Sequence, residues 1–169
     1  MTEFTMQLPA QALFGAGVRN QIGTEIGRLG GSRALLFTDE FMLTSGPSQE
    51  FKGLIEQAGI ACAVFADVQP DPTDVNVAVG LEVLRAAEAD VVVAFGGGSV
   101  LDAAKMIAIL AANDGPLRAY RGYHQIPDAG VPLIAVPTTA GTGSEATRVA
   151  VITDTEHDEK LMILDGHLV

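Results

Sequence analysis

The sequence has no tryptophan, only two tyrosines and a single cysteine in its 169 residues, and acidic side chains outnumber basic ones 21 to 10. One cysteine, Cys62, excludes an internal disulfide framework and fits a reducing compartment. Its place in the apolar stretch 60–65 reads as a buried structural thiol. The net charge of −11 repels phosphate backbones and anionic bilayers, so neither nucleic acid nor a membrane is an expected partner. A dinucleotide is also anionic, but a glycine-rich turn grips it through backbone amides, so the net charge does not exclude it. No apolar run approaches the ~18 residues of a membrane span, and the longest helical candidate is interrupted by Asp102 and Lys105. Residues 1–5 lack the basic and apolar regions of a secretory signal, and a cytoplasmic location is expected.

What is present is a globular composition, 48% hydrophobic and 18% charged, with 19 glycines. Alanine, valine, leucine and glycine dominate, which suits helices packed closely on a parallel sheet. No repeat or linker interrupts the chain, so residues 1–169 read as one domain. Segments 4–8 and 12–14 flank Pro9 and predict an edge hairpin or two short strands. Val18, Ile22, Ile26 and Leu29 recur at helical spacing before Gly30. Strands are predicted at 33–38, 61–65, 90–95 and 132–136. Helices are predicted at 48–58, 74–89 (Val75, Val79, Val83 and Leu84 inward) and 100–112. Residues 146–153 and 160–164 predict a second hairpin around the polar loop 154–159. The alternation from 33 to 136 predicts an α/β fold, a doubly wound, mostly parallel, Rossmann-like sheet with helices on both faces and edge hairpins. Ligands on such sheets bind at the carboxyl ends of the strands.

The strongest local signal is DVVVAFGGGSVLDAAK, residues 90–105. Three glycines after a buried strand allow a tight turn and close approach of backbone to ligand. Ser99 is placed as a helix N-cap, with Asp102 completing an approximate capping box. A helix start of this kind carries free amides and partial positive charge suited to a diphosphate. An ordinary strand-to-helix turn would need one glycine, not three. Neither a P-loop nor a GxGxxG pattern is present. Lys105 is read as an i,i+3 partner of Asp102, with phosphate contact as the other possibility. Asp39 follows the strand RALLFT, where a carboxylate can bind both hydroxyls of an adenosine ribose and repel a 2′-phosphate; capping the next turn is the competing role.

The second signal is VPTTAGTGSEATR, residues 136–148, which places Thr138, Thr139, Thr142, Ser144 and Thr147 directly after a strand. Hydroxyls and free amides can satisfy phosphate or ribose oxygens without added charge, although such a loop is often only a loop. His124, His157 and His167 are far apart and lack a second ligand at i,i+4 spacing. His157 lies in a charged, solvated turn. No GxSxG elbow is present, and Cys62 has no activating partner. No catalytic residue and no metal ligand are assigned to the chain.

At GGGSVLDAAK and PTTAGTGSEATRVAVITD the chain strongly resembles the iron-containing alcohol dehydrogenases, relatives of glycerol dehydrogenase and dehydroquinate synthase. LFGAGV, FTDEFM and QPDPT extend the resemblance along the whole chain. The resemblance implies an N-terminal dinucleotide-binding domain followed by a helical domain holding Fe²⁺ or, in relatives, Zn²⁺. It further implies hydride transfer between NAD(H) and an alcohol, aldehyde or ketone, with the metal polarising the oxygen. Carried over by motif, Asp39 would bind the adenosine ribose and favour NAD over NADP. Gly97, Gly98 and Ser99 would wrap the pyrophosphate, with Asp102 supporting the turn or lying near the nicotinamide. Thr138, Thr139, Thr142 and Thr147 would line the adenine and phosphate side. Lys160 would reach the nicotinamide ribose, and Asp71 stands where many members have asparagine.

The family's metal ligands, one aspartate and three histidines, belong to the helical domain, and none falls in this sequence. The expectation is therefore a fragment or remnant that supplies the cofactor site, is inactive or nearly so alone, and self-associates as a homo-oligomer. Two alternatives accompany this reading. One is a non-catalytic nucleotide-binding module acting through a partner. The other is a maleylacetate-reductase-like enzyme working without metal, although the DxxK after the glycine turn argues against it.

Overall fold

The computed structural model describes residues 8–169; the predicted strand at 4–8 lies almost wholly outside them. Four parallel strands form the main sheet: β1 (Arg33–Phe37), β2 (Ala61–Phe65), β3 (Val91–Gly96) and β5 (Leu133–Pro137), in the order β2-β1-β3-β5. Between them run α2 (Glu40–Thr44), α3 (Pro47–Gln57), α4 (Asp74–Ala86) and α5 (Gly98–Leu110), with α1 (Ile22–Arg28) before β1. A short strand, β4 (Gly122–Tyr123), joins the antiparallel hairpin β6 (Val149–Asp154) and β7 (Glu159–Leu164) in a second sheet, β4-β7-β6.

Both faces of the main sheet are buried, because alternate residues of each strand enter different cores. Ala34, Leu36, Val91, Val93 and Phe95 join Ile22, Ile26, Phe51 and Ile55 of α1 and α3. Leu35, Phe37, Val92 and Ala94 face α4 and α5 on the other side. Phe51 stacks on Phe95 with ring centroids 4.7 Å apart, and Phe37 on Phe65 at 5.1 Å. Helix α5 lies between the two sheets: Ala150, Ile152, Leu161 and Ile163 of the hairpin cover its far side. A helix covered all round is apolar all round, and ten of its residues are buried.

The structure corrects several local expectations. Residues 12–14 form no strand and are exposed. Residues 18–21 are a 3-10 turn, with the α-helix starting at Ile22. In α4 Leu84 is buried and Val83 packs against the core as expected, but Val75 and Val79 are 55% and 40% exposed and Asn76, Val77 and Gly80 are the other buried positions. The spacing fitted a helix but misplaced its first two turns. Gly80 explains it: a Cβ there would lie 2.4 Å from Ile107 Cδ1 of α5, so the contact face carries the residue with no side chain. The second hairpin forms as expected, but on the second sheet rather than at an edge of the first.

Candidate dinucleotide site

Strand order reverses between β1 and β3: the chain goes outward from β1 to β2, then returns past β1 to lay down β3 and β5. The crevice at such a reversal is where α/β sheets bind ligands. Backbone pairing continues one residue past the strand ends, Thr38 N–H donating to the Phe65 carbonyl and Thr138 N–H to that of Gly96, both at 2.9 Å. The buried Thr38 hydroxyl donates to the Phe95 carbonyl at 2.8 Å. The carboxyl ends are thus tied together into a rigid rim. Above it opens a cleft of about 820 Å³ to which all four strand ends contribute: Asp39 after β1, Ala66 to Pro70 after β2, Gly97 to Ser99 after β3, and Thr138 and Thr139 after β5.

The glycine turn is shaped by its surroundings. A Cβ on Gly96 would lie 2.6 Å from Val100 Cγ2, one on Gly97 3.1 Å from Thr139 Oγ1, and one on Gly98 3.2 Å from Thr142 Cβ. None of the three has a positive φ, so crowding rather than backbone strain favours glycine here: severely at Gly96, and at Gly97 and Gly98 by contacts a few tenths of an ångström too close. The cap expectation is corrected: Gly97 is the N-cap of α5 without a side-chain cap bond, and the helix begins at Gly98, so Ser99 lies inside the first turn. The amides of that turn are left for a ligand.

Asp39 caps α2, its Oδ1 accepting from Met42 N–H at 2.8 Å. Its second oxygen has no protein partner among the described residues and the residue lines the cleft, so the two roles weighed from sequence are geometrically compatible. Asp102 does not line the cleft; its Oδ2 accepts from Val151 N–H of the hairpin at 3.0 Å. Burial raises its pKa against the pull of the Val151 amide, of Lys105 and of the Ser144 hydroxyl. Lys105, expected to pair with Asp102 on the helix surface or to touch phosphate, is instead buried and donates to the carbonyls of Thr147 and Val149 at 2.6 and 2.9 Å. Desolvation lowers its pKa to about 8, opposed by Asp102 and Glu145. It fastens the end of the hydroxyl loop to α5.

Thr142 and Ser144 therefore stand against Gly98, while the Thr147 side chain is exposed. Asp71 and Lys160 do not line the cleft. They form an ion pair that ties the turn after β2 to β7, beside Pro70 at the cleft wall. His157 joins a cluster around the buried Asp154, which also accepts from Arg118. Burial would raise the Asp154 pKa, but Arg118 and His157 hold it down to about 2. Cys62 is half-buried on the edge strand β2, and desolvation pushes its thiol up to about 11, well away from a reactive thiolate. Phe41, Met42, Gln69 and Pro70 are cleft residues to which no site role is assigned from sequence, although they fall in the FTDEFM and QPDPT segments; the strand-end rule applied to β2 would have found the last two.

A family profile for iron-containing alcohol dehydrogenases matches residues 9–169. The chain is 39% identical over 165 residues to the NAD-dependent methanol dehydrogenase of Bacillus methanolicus, an alignment covering 98% of this chain and 43% of that protein. Among solved structures it superposes on a 1,3-propanediol oxidoreductase with a TM-score of 0.97 at 37% identity, covering 99% of this chain and 44% of the other. The sulfoacetaldehyde reductase of Bifidobacterium kashiwanohense, solved in complex with NAD⁺, superposes with a TM-score of 0.87 at 30% identity, again over 99% and 44%. The chain thus spans less than half the length of these relatives. With the family profile covering residues 9–169, the chain belongs to the iron-containing alcohol dehydrogenase family.

Proposed function

We propose that this chain is the NAD(H)-binding part of an oxidoreductase that moves hydride between the cofactor and an alcohol, aldehyde or ketone. The observation that carries the reading is the cleft at the strand reversal, bordered by the tightly packed Gly97 and Gly98 of the glycine turn. Two relatives support the choice of cofactor: one is named as NAD-dependent, and another was solved with NAD⁺. The cleft fits the group. The α5 amides and the Thr138 and Thr139 hydroxyls take the diphosphate, and Asp39 takes a ribose diol while repelling a 2′-phosphate. When bound, the dinucleotide supplies or accepts the hydride. The residues of this chain bind it and hold its orientation. Lys105 contributes by keeping the hydroxyl loop against the glycine turn. Thr142, Thr147, Asp102 and the Asp71–Lys160 pair lie outside the lining of the cleft; their part is to support the loops and turn that border it.

Among the described residues no group of three or more His, Cys, Asp or Glu comes together that could hold a metal ion. No described helix is long and apolar enough to cross a membrane. A cytoplasmic location and a homo-oligomeric state complete the reading; exposed Leu8, Leu13 and Phe14 favour association.

The test is titration of NADH with the purified chain, followed by enhancement of nicotinamide fluorescence. Asp39→Ala and Gly98→Val are expected to weaken binding by about tenfold or more, roughly 1.4 kcal/mol or above, with the fold retained by circular dichroism. Unchanged affinity in both variants would place the cofactor elsewhere.

A further inference from the structure

Among the described residues, Thr38 and Ser48 are the two polar residues that are 0% exposed. The β1–β3 ladder ends at the pair Phe37 and Ala94. At the next residue, Thr38, the backbone amide is committed to the Phe65 carbonyl of β2. Its side chain continues the bonding toward β3, the hydroxyl donating to the Phe95 carbonyl at 2.8 Å. A hydroxyl has one proton to give, so the 3.1 Å contact between Thr38 and Ser48 is a bond that Ser48 donates. Ser48 lies in the first turn of α3. The Thr38–Ser48 bond therefore closes residues 39–47, which include Asp39 and the helix α2 that it caps, into a loop tied at both ends. That loop is anchored on the carbonyl of the residue before the glycine turn. Burying two hydroxyls carries a desolvation cost that valine and alanine would not.

Resting on the cofactor reading above, we infer that Thr38, with Ser48, is a positioning residue that fixes the separation between the Asp39 carboxylate and the amides at the start of α5. Neither residue lines the cleft, so both act through what they hold. Each half of the site is built locally. Asp39 is held by the Met42 amide, and the glycine turn is shaped by the crowding of Gly96 on Val100. The hydroxyl chain from Ser48 through Thr38 to the Phe95 carbonyl is the last link between them. A ligand that reaches both halves gains from their fixed separation, because its second contact is made at high effective concentration. A ligand that reaches only one half gains nothing from it.

The test compares ligands that span the two halves with ligands that occupy one. In Thr38→Val, which keeps the shape and removes the hydroxyl, the Kd of NADH and of ADP should rise about tenfold. Adenosine and inorganic pyrophosphate, followed by NMR titration, should stay within about twofold of wild type, as should every ligand in Thr38→Ser, which keeps the hydroxyl. Ser48→Ala leaves the bond from Thr38 to Phe95 in place. It should show the same selective loss at roughly threefold, and it carries the test if Thr38→Val does not fold. Unchanged NADH and ADP affinity in the folded variants would overturn the positioning role. Equal weakening of the spanning and the single-half ligands would overturn it too, since that marks a damaged site rather than a lost separation. Both results leave the cofactor reading standing. Failure of the folded wild-type chain to bind NADH would overturn the two readings together.

Discussion

Lys105 was legible in the sequence as a charged residue on the helix after the glycine turn, but not as a buried one. Burial of a cation is visible only once the hairpin β6–β7 is folded over α5 and its two carbonyls are seen to receive the ammonium. Its folded pKa of about 8 lies below the ordinary 10.5. Below pH 8 both folded and unfolded chains carry the proton, and the folded state bears the desolvation penalty. As pH rises from about 8 toward 10.5 the folded state releases the proton while the unfolded state retains it, so the penalty is relieved and stability rises. Urea midpoints at pH 7 and 9 should therefore move in favour of wild type relative to Lys105→Met as the pH increases. Lys105→Met should also lose ~1–3 kcal/mol at pH 7 from the two unpaired carbonyls. Cys62 titrates identically in both proteins and cancels in the comparison. Parallel pH responses of the two proteins would show that Lys105 is not the buried titrating group.

At the scale of elements, strands were the most readable features. The run 90–95 is continuous and β-branched because β3 is central and buried on both faces, so neither face of the strand needs polar residues. The phase of α4 was only partly readable: Val83 and Leu84 face inward as expected, but Val77 and Gly80 take the places expected of Val75 and Val79. The same packing predicts that Gly80→Val, with a Cβ 2.4 Å from Ile107 Cδ1 and 3.0 Å from Phe37 Cε2, forces these buried side chains to shift and destabilises the chain by ~1–3 kcal/mol. Thermal unfolding checks this, with Gly27→Ala as the comparison, because a Cβ at Gly27 meets nothing within 4 Å. Equal losses at the two positions would refute tight α4–α5 packing at Gly80. The cap of α5 lies two residues before the expected Ser99 for a related reason. Ser99 has the right chemistry for a cap, but the turn closes through crowding at Gly96 and needs no side-chain bond.

At the scale of the molecule, both loops singled out from sequence arrive at one cleft, together with Asp39, because parallel strands deliver their carboxyl ends to one edge. Motif spacing made that convergence legible. The part played by the turn after β2 was only half legible: QPDPT begins at Gln69, but Ala66 to Val68 carry no motif and join the wall through the β2-β1 pairing. The hairpin's second role was equally hidden: Thr153 N–H donates to the Pro72 carbonyl at 2.8 Å, and Lys160 holds Asp71. The hairpin thereby braces the same wall from outside. Such contacts join residues some 80 to 90 positions apart, beyond the reach of any local pattern.

The measurement that tests the cofactor site most directly is a crystal structure of this chain grown with NADH. The expected result is the diphosphate against the amides at the start of α5, within hydrogen-bond reach of residues 97–99, with the adenosine ribose on Asp39. Cofactor bound away from that cleft, for example in the 480 Å³ cavity beside Arg118 and His157, would contradict it.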